Sequence, residues 1–282
     1  MKNLLIATDL SARSDRALDR AVALARDSGG ELTVVHVVDE GLPGPLADVQ
    51  VEQARKIIRQ HIDPLSGGNG RSINIEVVVG RTLVNILDIC EKNKADLIVM
   101  GEHRQDVFRD MFRGTIAERI VRAGDLPVLL VKDRAISSYR RIIVGIDFSV
   151  FSKRALEFAI KNFPSAELYL IHAYSVFFKS FLYEGSTRRD LIDDKKRKFK
   201  KMLDEEMADF FARFQTRTPK IEAHLQEGPV CEVLHHQKNL LDADLLIVGT
   251  HGRTGVAHTF LGSVSEDLLG NPPCDVLAVK AW

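Results

Sequence analysis

A glycine-rich stretch in the second half of the chain carries the clearest chemical pattern. The apolar run 245–248 stops at Gly249, Gly252 follows three positions later, and Gly262 and Ser263 come after nine further residues. Glycines let backbone N–H groups approach a ligand, and a helix start presents unpaired donors and a partial positive charge. A buried strand, a glycine loop and a helix start therefore predict a site for an anion, usually phosphate. A flexible surface loop is the weaker alternative.

Asp147 could form the opposite wall of this site. It follows the apolar run 142–146, which is typical of a strand buried on both faces. In parallel sheets, ligands bind beyond the carboxyl ends of the strands where the strand order reverses, which would make Asp147 and Gly249 neighbours. A carboxylate facing a phosphate loop suits a nucleotide, because it accepts hydrogen bonds from ribose or adenine. The alternative is a capping role in the turn, which Ser149 could also fill.

The chain repeats itself. Four segments of the first half have close counterparts in the second, and the spacing between counterparts drifts by only a few residues. The pairs are 4–11 with 142–149, 31–36 with 167–172, 95–101 with 243–249, and 128–132 with 276–280. With a length of 282 residues, the repeat predicts two homologous domains, 1–135 and 138–282. Because the join between them is short, we expect the domains to pack on each other.

Within each half, apolar runs alternate with segments of helical spacing. This order predicts two tandem doubly wound α/β domains, each a five-stranded parallel sheet flanked by helices. In the first half, residues 39–48 contain two glycines and two prolines and are expected to form a loop, followed by a helix over 49–62. In the second half, helical spacing resumes at 264 after the glycine loop.

Residues 187–214 are expected to form a long and highly charged helix. The run 193–198, with Lys200 and Lys201 after it, could be a nucleic-acid patch. Acidic residues flank the basic ones on both sides, however, and this arrangement favours a solvated helix face.

Composition argues against several classes of protein. Lys plus Arg and Asp plus Glu each number 39, so no net charge attracts nucleic acid or an anionic membrane. No apolar run reaches the ~18 residues that span a bilayer, and the N-terminal segment becomes polar too soon for a signal peptide. The three cysteines lack Cys-x-x-Cys spacing, and the adjacent His235 and His236 point roughly 100° apart in a helix. We therefore expect no metal site and a cytoplasmic location.

Several motifs together resemble those of the universal stress protein family. The glycine stretch from Gly249 to Ser263 resembles that family's ATP-binding motif. The other matching segments are 146–149, 171–173, Gly228-Pro229 and the terminal strand 276–280. The resemblance covers nearly the whole chain twice, as in tandem members of the family.

The resemblance implies ATP as the ligand, with or without Mg²⁺. By position, it places Asp147 at the nucleoside end and Ala173 near adenine. It surrounds the phosphates and ribose with Gly249, Gly252, Gly262 and Ser263, while His251 and Arg253 could reach phosphate oxygens. The first half contains His103 at the position of His251, so His251 could instead be a residue that packs the loop.

The first half departs from the glycine motif. Gly101 aligns with Gly249, and Gly114-Thr115 keep the closing pair, but Arg104 stands where Gly252 does. An arginine has a Cβ and a long side chain where the motif brings backbone close to phosphate. We therefore expect the first domain to have lost or strongly weakened ATP binding and the second to retain it.

Three functions fit these features. The favoured one is a cytoplasmic ATP-binding stress or signalling protein in which nucleotide is a conformational ligand. The second is a slow ATPase or phosphotransferase, for which Ser263 and His251 are the only evident helpers. The third is a non-enzymatic adaptor with little dependence on nucleotide.

Association stays open at this point. The resemblance implies dimerisation through the last strand of the fold. The segments 128–131 and 276–279 could therefore pair within one chain as a pseudo-dimer. A homodimer could form in addition through helices, with Phe177, Phe178, Phe181 and Leu182 as candidate contacts or, alternatively, as residues packed on their own domain.

Overall fold

The computed structural model describes residues 1–65, 73–102, 115–174, 219–252 and 261–280, together with some helical residues between 190 and 208. The strands in these ranges are β1 Asn3–Ala7, β2 Glu31–Asp39, β3 Asn74–Gly80, β4 Leu97–Gly101, β5 Val128–Val131, β6 Arg141–Gly145, β7 Glu167–Tyr174, β8 Lys220–Glu227, β9 Leu245–Gly249 and β10 Asp275–Val279. The helices bounded there are α1 Ala12–Ser28, α2 Gly44–Ile62, α3 Thr82–Lys92, α4 Ile116–Ala123, α5 Val150–Asn162, α6 Val230–Leu241 and α7 Ser263–Gly270.

The ten strands form one sheet in the order β3-β2-β1-β4-β5-β10-β9-β6-β7-β8. All pairs within a half are parallel, and β5 and β10 run antiparallel with Leu129 opposite Leu277. The order reverses between the first and fourth strands of each half. The predicted α/β fold with a five-stranded parallel sheet in each half is confirmed.

Both faces of the sheet are covered by helices. Leu4 and Ile6 pack on the same side as Leu18 of α1, whereas Leu5 faces Ile86 of α3. Successive side chains of a strand point to opposite faces, and each face is dry here, so the strands are continuously apolar. This double coverage is the reason that the apolar runs located the strands.

The predicted loop 39–48 is wrong in its second part, because α2 begins at Gly44 rather than at residue 49. Pro43 is the N-cap of this helix and Pro45 lies in its first turn. A proline there costs no hydrogen bond, since the first N–H groups of a helix have no partner within it. Ala47 is buried in the core. The proline-rich segment is therefore a helix start.

A repeated Ala-Asp pair anchors the first strand of each half. The carboxylate of Asp96 accepts hydrogen bonds from the backbone nitrogens of Lys2 and Asn3, at 2.6 and 3.0 Å. Asp244 does the same for two residues at the start of β6, at 2.8 and 3.2 Å. Burial raises the pKa of Asp244. Each aspartate therefore accepts from the backbone donors of the first residue of a central strand and of the residue before it.

A buried polar network joins the two halves around Asp275. Its Oδ1 accepts hydrogen bonds from the backbone nitrogens of Lys132 and Asp133, both at 2.9 Å. Its Oδ2 accepts from the Tyr139 hydroxyl at 2.5 Å and lies 3.3 Å from Nε of Arg20. Burial raises the pKa of both the Asp275 carboxyl and the Tyr139 phenol. These residues come from α1, β10 and the segment between the halves.

The Arg20 guanidinium also lies over the Tyr139 ring, 4.2 Å from its centroid. Its Nη1 donates to the backbone oxygen of Ser137 at 2.7 Å. The cation is therefore held by a carboxylate, an aromatic face and a carbonyl at once.

Charged residues between 190 and 208 pair within their own helix. Lys198 Nζ lies 2.7 Å from Asp194, four positions earlier; Lys198 is exposed and Asp194 is half-exposed. Phe199 is buried beside them. This pattern favours the interpretation of a solvated helix face.

The three cysteines are free. Burial raises the pKa of Cys90 and of Cys274 to about 12 and that of Cys231 to about 11. Thiols with such values are weak nucleophiles at neutral pH. Across the described ranges, no helix is both long and apolar enough to cross a bilayer.

Candidate functional site

A cleft of about 360 Å³ opens at the carboxyl ends of β6 and β9, where the strand order of the second half reverses. Seven of the eight predicted site residues line it, namely Asp147, Ala173, Gly249, His251, Gly252, Gly262 and Ser263. The eighth, Arg253, lies outside the described residues, as do most of the first-half loop around Arg104 and the candidate contacts Phe177 to Leu182. Position at the reversal point is the usual place for a ligand in such sheets.

Asp147 stands at the entrance to α5 in a tight turn. Phe148 has a left-handed backbone with a φ of 63°, and Oδ1 of Asp147 accepts a hydrogen bond from the Ser149 nitrogen at 2.9 Å. The helix cap itself is Ser149, whose side chain accepts from the Ser152 nitrogen at 3.1 Å. The turn and the cap thus use Oδ1 of Asp147 and the Ser149 hydroxyl, and they leave Asp147 Oδ2 on the side of Gly252.

The corresponding aspartate of the first half is engaged differently. Oδ1 of Asp9 accepts from the Ser11 nitrogen at 2.9 Å and also from the Ser14 hydroxyl at 2.6 Å. In the second half, the matching hydroxyl of Ser152 donates to the backbone oxygen of Ser149 instead, at 3.1 Å. The aligned carboxylates therefore differ in how much of their hydrogen-bonding capacity the protein uses.

The start of α7 forms the wall opposite Asp147. Its N-cap is Gly262, which makes no side-chain capping bond, and the first helical bond runs from the Glu266 nitrogen to the Gly262 oxygen at 2.9 Å. Residues 263–265 line the cleft, and their N–H groups have no partner within the helix. An uncapped helix start of this kind attracts an anion.

The matching helix of the first half caps itself. Thr115 is the N-cap of α4, and its hydroxyl accepts from the Glu118 nitrogen at 3.2 Å. Ser263, which the sequence alignment pairs with Thr115, lies instead inside the first turn of α7, since that helix begins one residue earlier than predicted. The two hydroxyls thus have different roles, and the first half has a donor of its helix start already satisfied.

Gly249 is a glycine because of packing. A Cβ at this position would lie 2.6 Å from the backbone carbon and the Cβ of Phe151 in α5. The same holds for Gly101, where a Cβ would lie 2.8 Å from the backbone oxygen of Arg13 in α1. Both fourth strands end against the first turn of a helix, which explains why the first half keeps this glycine although it departs from the rest of the motif.

We expect Gly249→Ala and Gly101→Ala each to lower the free energy of unfolding by about 1–3 kcal/mol, because the added methyl forces two backbone segments apart. Urea unfolding followed by circular dichroism measures this. Gly44→Ala is the control, since a Cβ there would meet nothing within 4 Å. Full stability in Gly249→Ala would show that packing does not require the glycine.

Gly252 and Gly262 bring the loop close to the rest of the site. A Cβ on Gly252 would lie 3.2 Å from Oδ2 of Asp147, and one on Gly262 would lie 3.1 Å from the oxygen of Thr250. The Gly262 nitrogen donates to that same oxygen at 2.8 Å. Gly252 does not have a positive φ, so close approach rather than backbone conformation is what distinguishes this position.

Two histidines hold the loops in place. His251 packs on Phe151 with ring centroids 4.7 Å apart, and its Nδ1 lies 2.9 Å from the Thr250 hydroxyl. Nδ1 of His172 bonds to the backbone oxygen of Ile146 at 2.6 Å. His36 of the first half makes the matching contact with Thr8 at 2.8 Å. The repeated histidine therefore links the second strand of each half, by a hydrogen bond, to the residue that follows the first strand.

Sequence reasoning missed the apolar floor of the cleft. Val230 and Leu234 of α6 line it together with Val248. The signal was present in Gly228-Pro229, since Gly228 has a φ of 145° and Pro229 is the N-cap of α6. The turn directs the first residues of α6 toward the ends of β6 and β9.

The fold and this cleft define a tandem, doubly wound α/β protein with a cleft at the strand-order reversal of its second half. Comparison with known protein families shows which family has this fold and sequence. The model of the universal stress protein family matches residues 1–132 and 138–280. The chain belongs to the universal stress protein family and contains two such domains.

Known relatives match either the whole chain or about half of it. The chain is 24% identical to the universal stress protein E homolog of Haemophilus influenzae, over 99% of this chain and 97% of that protein. It is 29% identical to a universal stress protein of Methanocaldococcus jannaschii over 46% of this chain and 82% of that protein. A solved universal stress protein from Archaeoglobus fulgidus shares the fold, with a TM-score of 0.69 at 22% identity, and covers 99% of this chain and 98% of that one.

Proposed function

We propose that this protein binds ATP in the cleft of its second domain, in the cytoplasm, and that the bound nucleotide acts as a regulatory ligand. One observation carries the proposal: a carboxylate, Asp147, and the uncapped start of α7 face each other across one cleft at the reversal point of the sheet. The helix start suits phosphates, and the carboxylate suits the hydroxyl and amine donors of a nucleoside.

Each lining residue has a role in this proposal. Asp147 contacts the nucleoside end, and the adenine ring lies near Ala173. The phosphates and ribose lie among Gly249, Gly252, Gly262 and Ser263, with His251 and Arg253 beside the phosphates and Mg²⁺ as an accompanying ion. Apolar side chains at the cleft floor, Val230 and Leu234 among them, suit a base rather than phosphate alone.

We place the two domains at residues 1–135 and 138–282. The first domain is proposed to bind ATP weakly or not at all. Two contacts of the structure support this beyond the arginine at position 104. The Thr115 hydroxyl satisfies a donor of the α4 start, and the Ser14 hydroxyl occupies Asp9. In the second domain, no side chain caps the start of α7, and the Ser152 hydroxyl donates to the Ser149 oxygen rather than to Asp147.

A conformational role is favoured over catalysis by how the nearby hydroxyls are used. Ser265 Oγ donates to the Gly249 oxygen at 2.7 Å, and Ser152 Oγ donates to Ser149. Both serines hold the site together. Phosphoryl transfer needs a positioned nucleophile and charge stabilisers, and the hydroxyls of Ser152 and Ser265 are committed to the backbone. The alternative of a slow ATPase therefore rests on Ser263 and His251, which line the cleft.

The two domains are proposed to function as an intramolecular pseudo-dimer. The antiparallel pairing of β5 with β10 supports this, because it uses the last strand of each domain and places Leu129 and Leu277 at its centre. A homodimer would then have to use other surfaces.

The full-length chain tests the nucleotide proposal through a matched pair of variants. Asp147→Asn keeps an oxygen for the Ser149 nitrogen and removes the charge, and we expect it to weaken ATP binding roughly 10- to 100-fold, as for loss of a charged hydrogen bond. Asp9→Asn, at the equivalent position, should leave the affinity unchanged. Isothermal titration calorimetry measures both, and native mass spectrometry of the purified protein identifies any nucleotide retained. Equal effects of the two substitutions would contradict the assignment to the second domain.

A further inference from the structure

The junction between the domains has an approximate two-fold axis through the β5–β10 pair. Lys132 and Lys280, which follow the two strands, are equivalent in the repeat. Lys132 Nζ donates to the oxygen of Pro272 at 2.6 Å, and Lys280 Nζ donates to the oxygen of Gly124 at 2.8 Å. The two sides of the junction are therefore built alike in their backbone and in these lysines.

The two sides of the junction differ in the side chains at equivalent positions. On one side, the Asp275 carboxylate, the Tyr139 phenol and the Arg20 guanidinium are packed together. By the repeat, the residues at the corresponding positions of the other side are Pro127, Met1 and Phe158. That side contains neither the carboxylate nor the guanidinium of its counterpart.

A cavity of about 520 Å³ lies on this second side. Both domains line it, with Lys2, Asp96 and Pro127 from the first and Arg154, Lys161 and Lys280 among those from the second. Four basic side chains (Lys2, Arg154, Lys161 and Lys280) and two acidic ones (Asp96 and Glu157) therefore surround it.

The two carboxylates are already engaged by the protein. Asp96 accepts from the backbone nitrogens of Lys2 and Asn3. Glu157 lies 3.0 Å from Arg154 Nη1. Lys280 is nearly buried, and Asp125, its carboxylate partner at 3.2 Å, is exposed. The lining is thus positively charged in balance, in a chain whose total charge is zero.

We propose that this cavity, here named the junction cavity, binds a small anion that carries a carboxylate or phosphate group. The anion would occupy the place that the Asp275 carboxylate fills on the opposite side. Lys161 would hold it, and Arg154 and Lys280, which already pair with Glu157 and Asp125, would add positive charge. Because the lining comes from both domains, binding stabilises their junction. The inference does not depend on the nucleotide site, which lies at the ends of β6 and β9.

Titration calorimetry on the full chain with two probes, inorganic phosphate and malonate, tests the proposal. We expect saturable binding of at least one probe, and the probe that binds more tightly identifies the phosphate or the carboxylate as the preferred group. Lys161→Gln should weaken this binding about tenfold, as for loss of a charged hydrogen bond. Lys92→Gln is the control, because Lys92 is an exposed lysine on α3, outside the cavity.

A second variant uses the symmetry directly. Pro127→Asp places a carboxylate at the position equivalent to Asp275, and we expect it to abolish binding by occupying the site with its own charge. If this variant does not fold, the affinity of Lys161→Gln for the two probes is the test of the proposal. The proposal is overturned if neither probe binds at millimolar concentration. It is also overturned if Lys161→Gln leaves the binding unchanged or weakens it no more than Lys92→Gln does.

Discussion

Replacing Gly252 by arginine is expected to abolish ATP binding by the full-length protein while leaving it folded. The position faces Asp147, since a Cβ there would lie 3.2 Å from Oδ2 of that residue. A guanidinium this close would pair with the carboxylate and fill the cleft that the nucleotide needs. We expect the affinity to fall more than a hundredfold, roughly 3 kcal/mol. The substitution copies the first domain, which has Arg104 at the aligned position.

Calorimetric titration with ATP measures the loss, and thermal unfolding checks that the fold is kept. Gly44→Arg is the matched control, because it adds the same side chain where a Cβ would meet nothing within 4 Å. Its affinity should equal that of the unsubstituted protein. Unchanged ATP binding in Gly252→Arg would show that the nucleotide lies elsewhere.

Removal of the buried carboxylate in Asp275→Ala is expected to lower the free energy of unfolding by about 3–5 kcal/mol, the usual cost of breaking a buried ion pair. The substitution removes the acceptor of the Tyr139 hydroxyl and of two backbone N–H groups, and it deprives the buried guanidinium of Arg20 of this carboxylate as a counter-charge. In the unfolded chain, water forms hydrogen bonds with each of these groups. The substitution therefore destabilises only the folded state, in which the groups are buried.

Urea unfolding monitored by circular dichroism gives this free energy. Asp125→Ala is the control, because Asp125 also forms an ion pair between the domains, with Lys280 at 3.2 Å, but its side chain is 82% exposed. An exposed pair contributes at most about 1 kcal/mol. A loss of that small size in Asp275→Ala as well would mean that the network does not hold the junction.

Local patterns predicted the elements where burial and propensity agree. Strand β5 coincides with the apolar segment 128–131, and the reversal of strand order placed Asp147 beside the Gly249 loop. The start of α2 was missed, because prolines and glycines over 41–45 are turn formers in isolation and a helix start only when Ala47 packs on the core. The difference between Thr115 and Ser263 was missed for a similar reason, since one residue decides whether a hydroxyl caps a helix or lies within it.

The sequence by itself determined the class of fold, the repeat, the family resemblance and the residues to examine at the candidate site. These follow from short-range patterns, namely continuous apolar strands, glycine spacing and duplicated segments. Only the tertiary structure decided that the two halves share one ten-stranded sheet, that Gly249 is required by Phe151, and that Asp275 meets Tyr139, 136 positions away. Such contacts depend on which distant segments are buried against each other, and burial of a charge or a glycine leaves no local pattern in the chain.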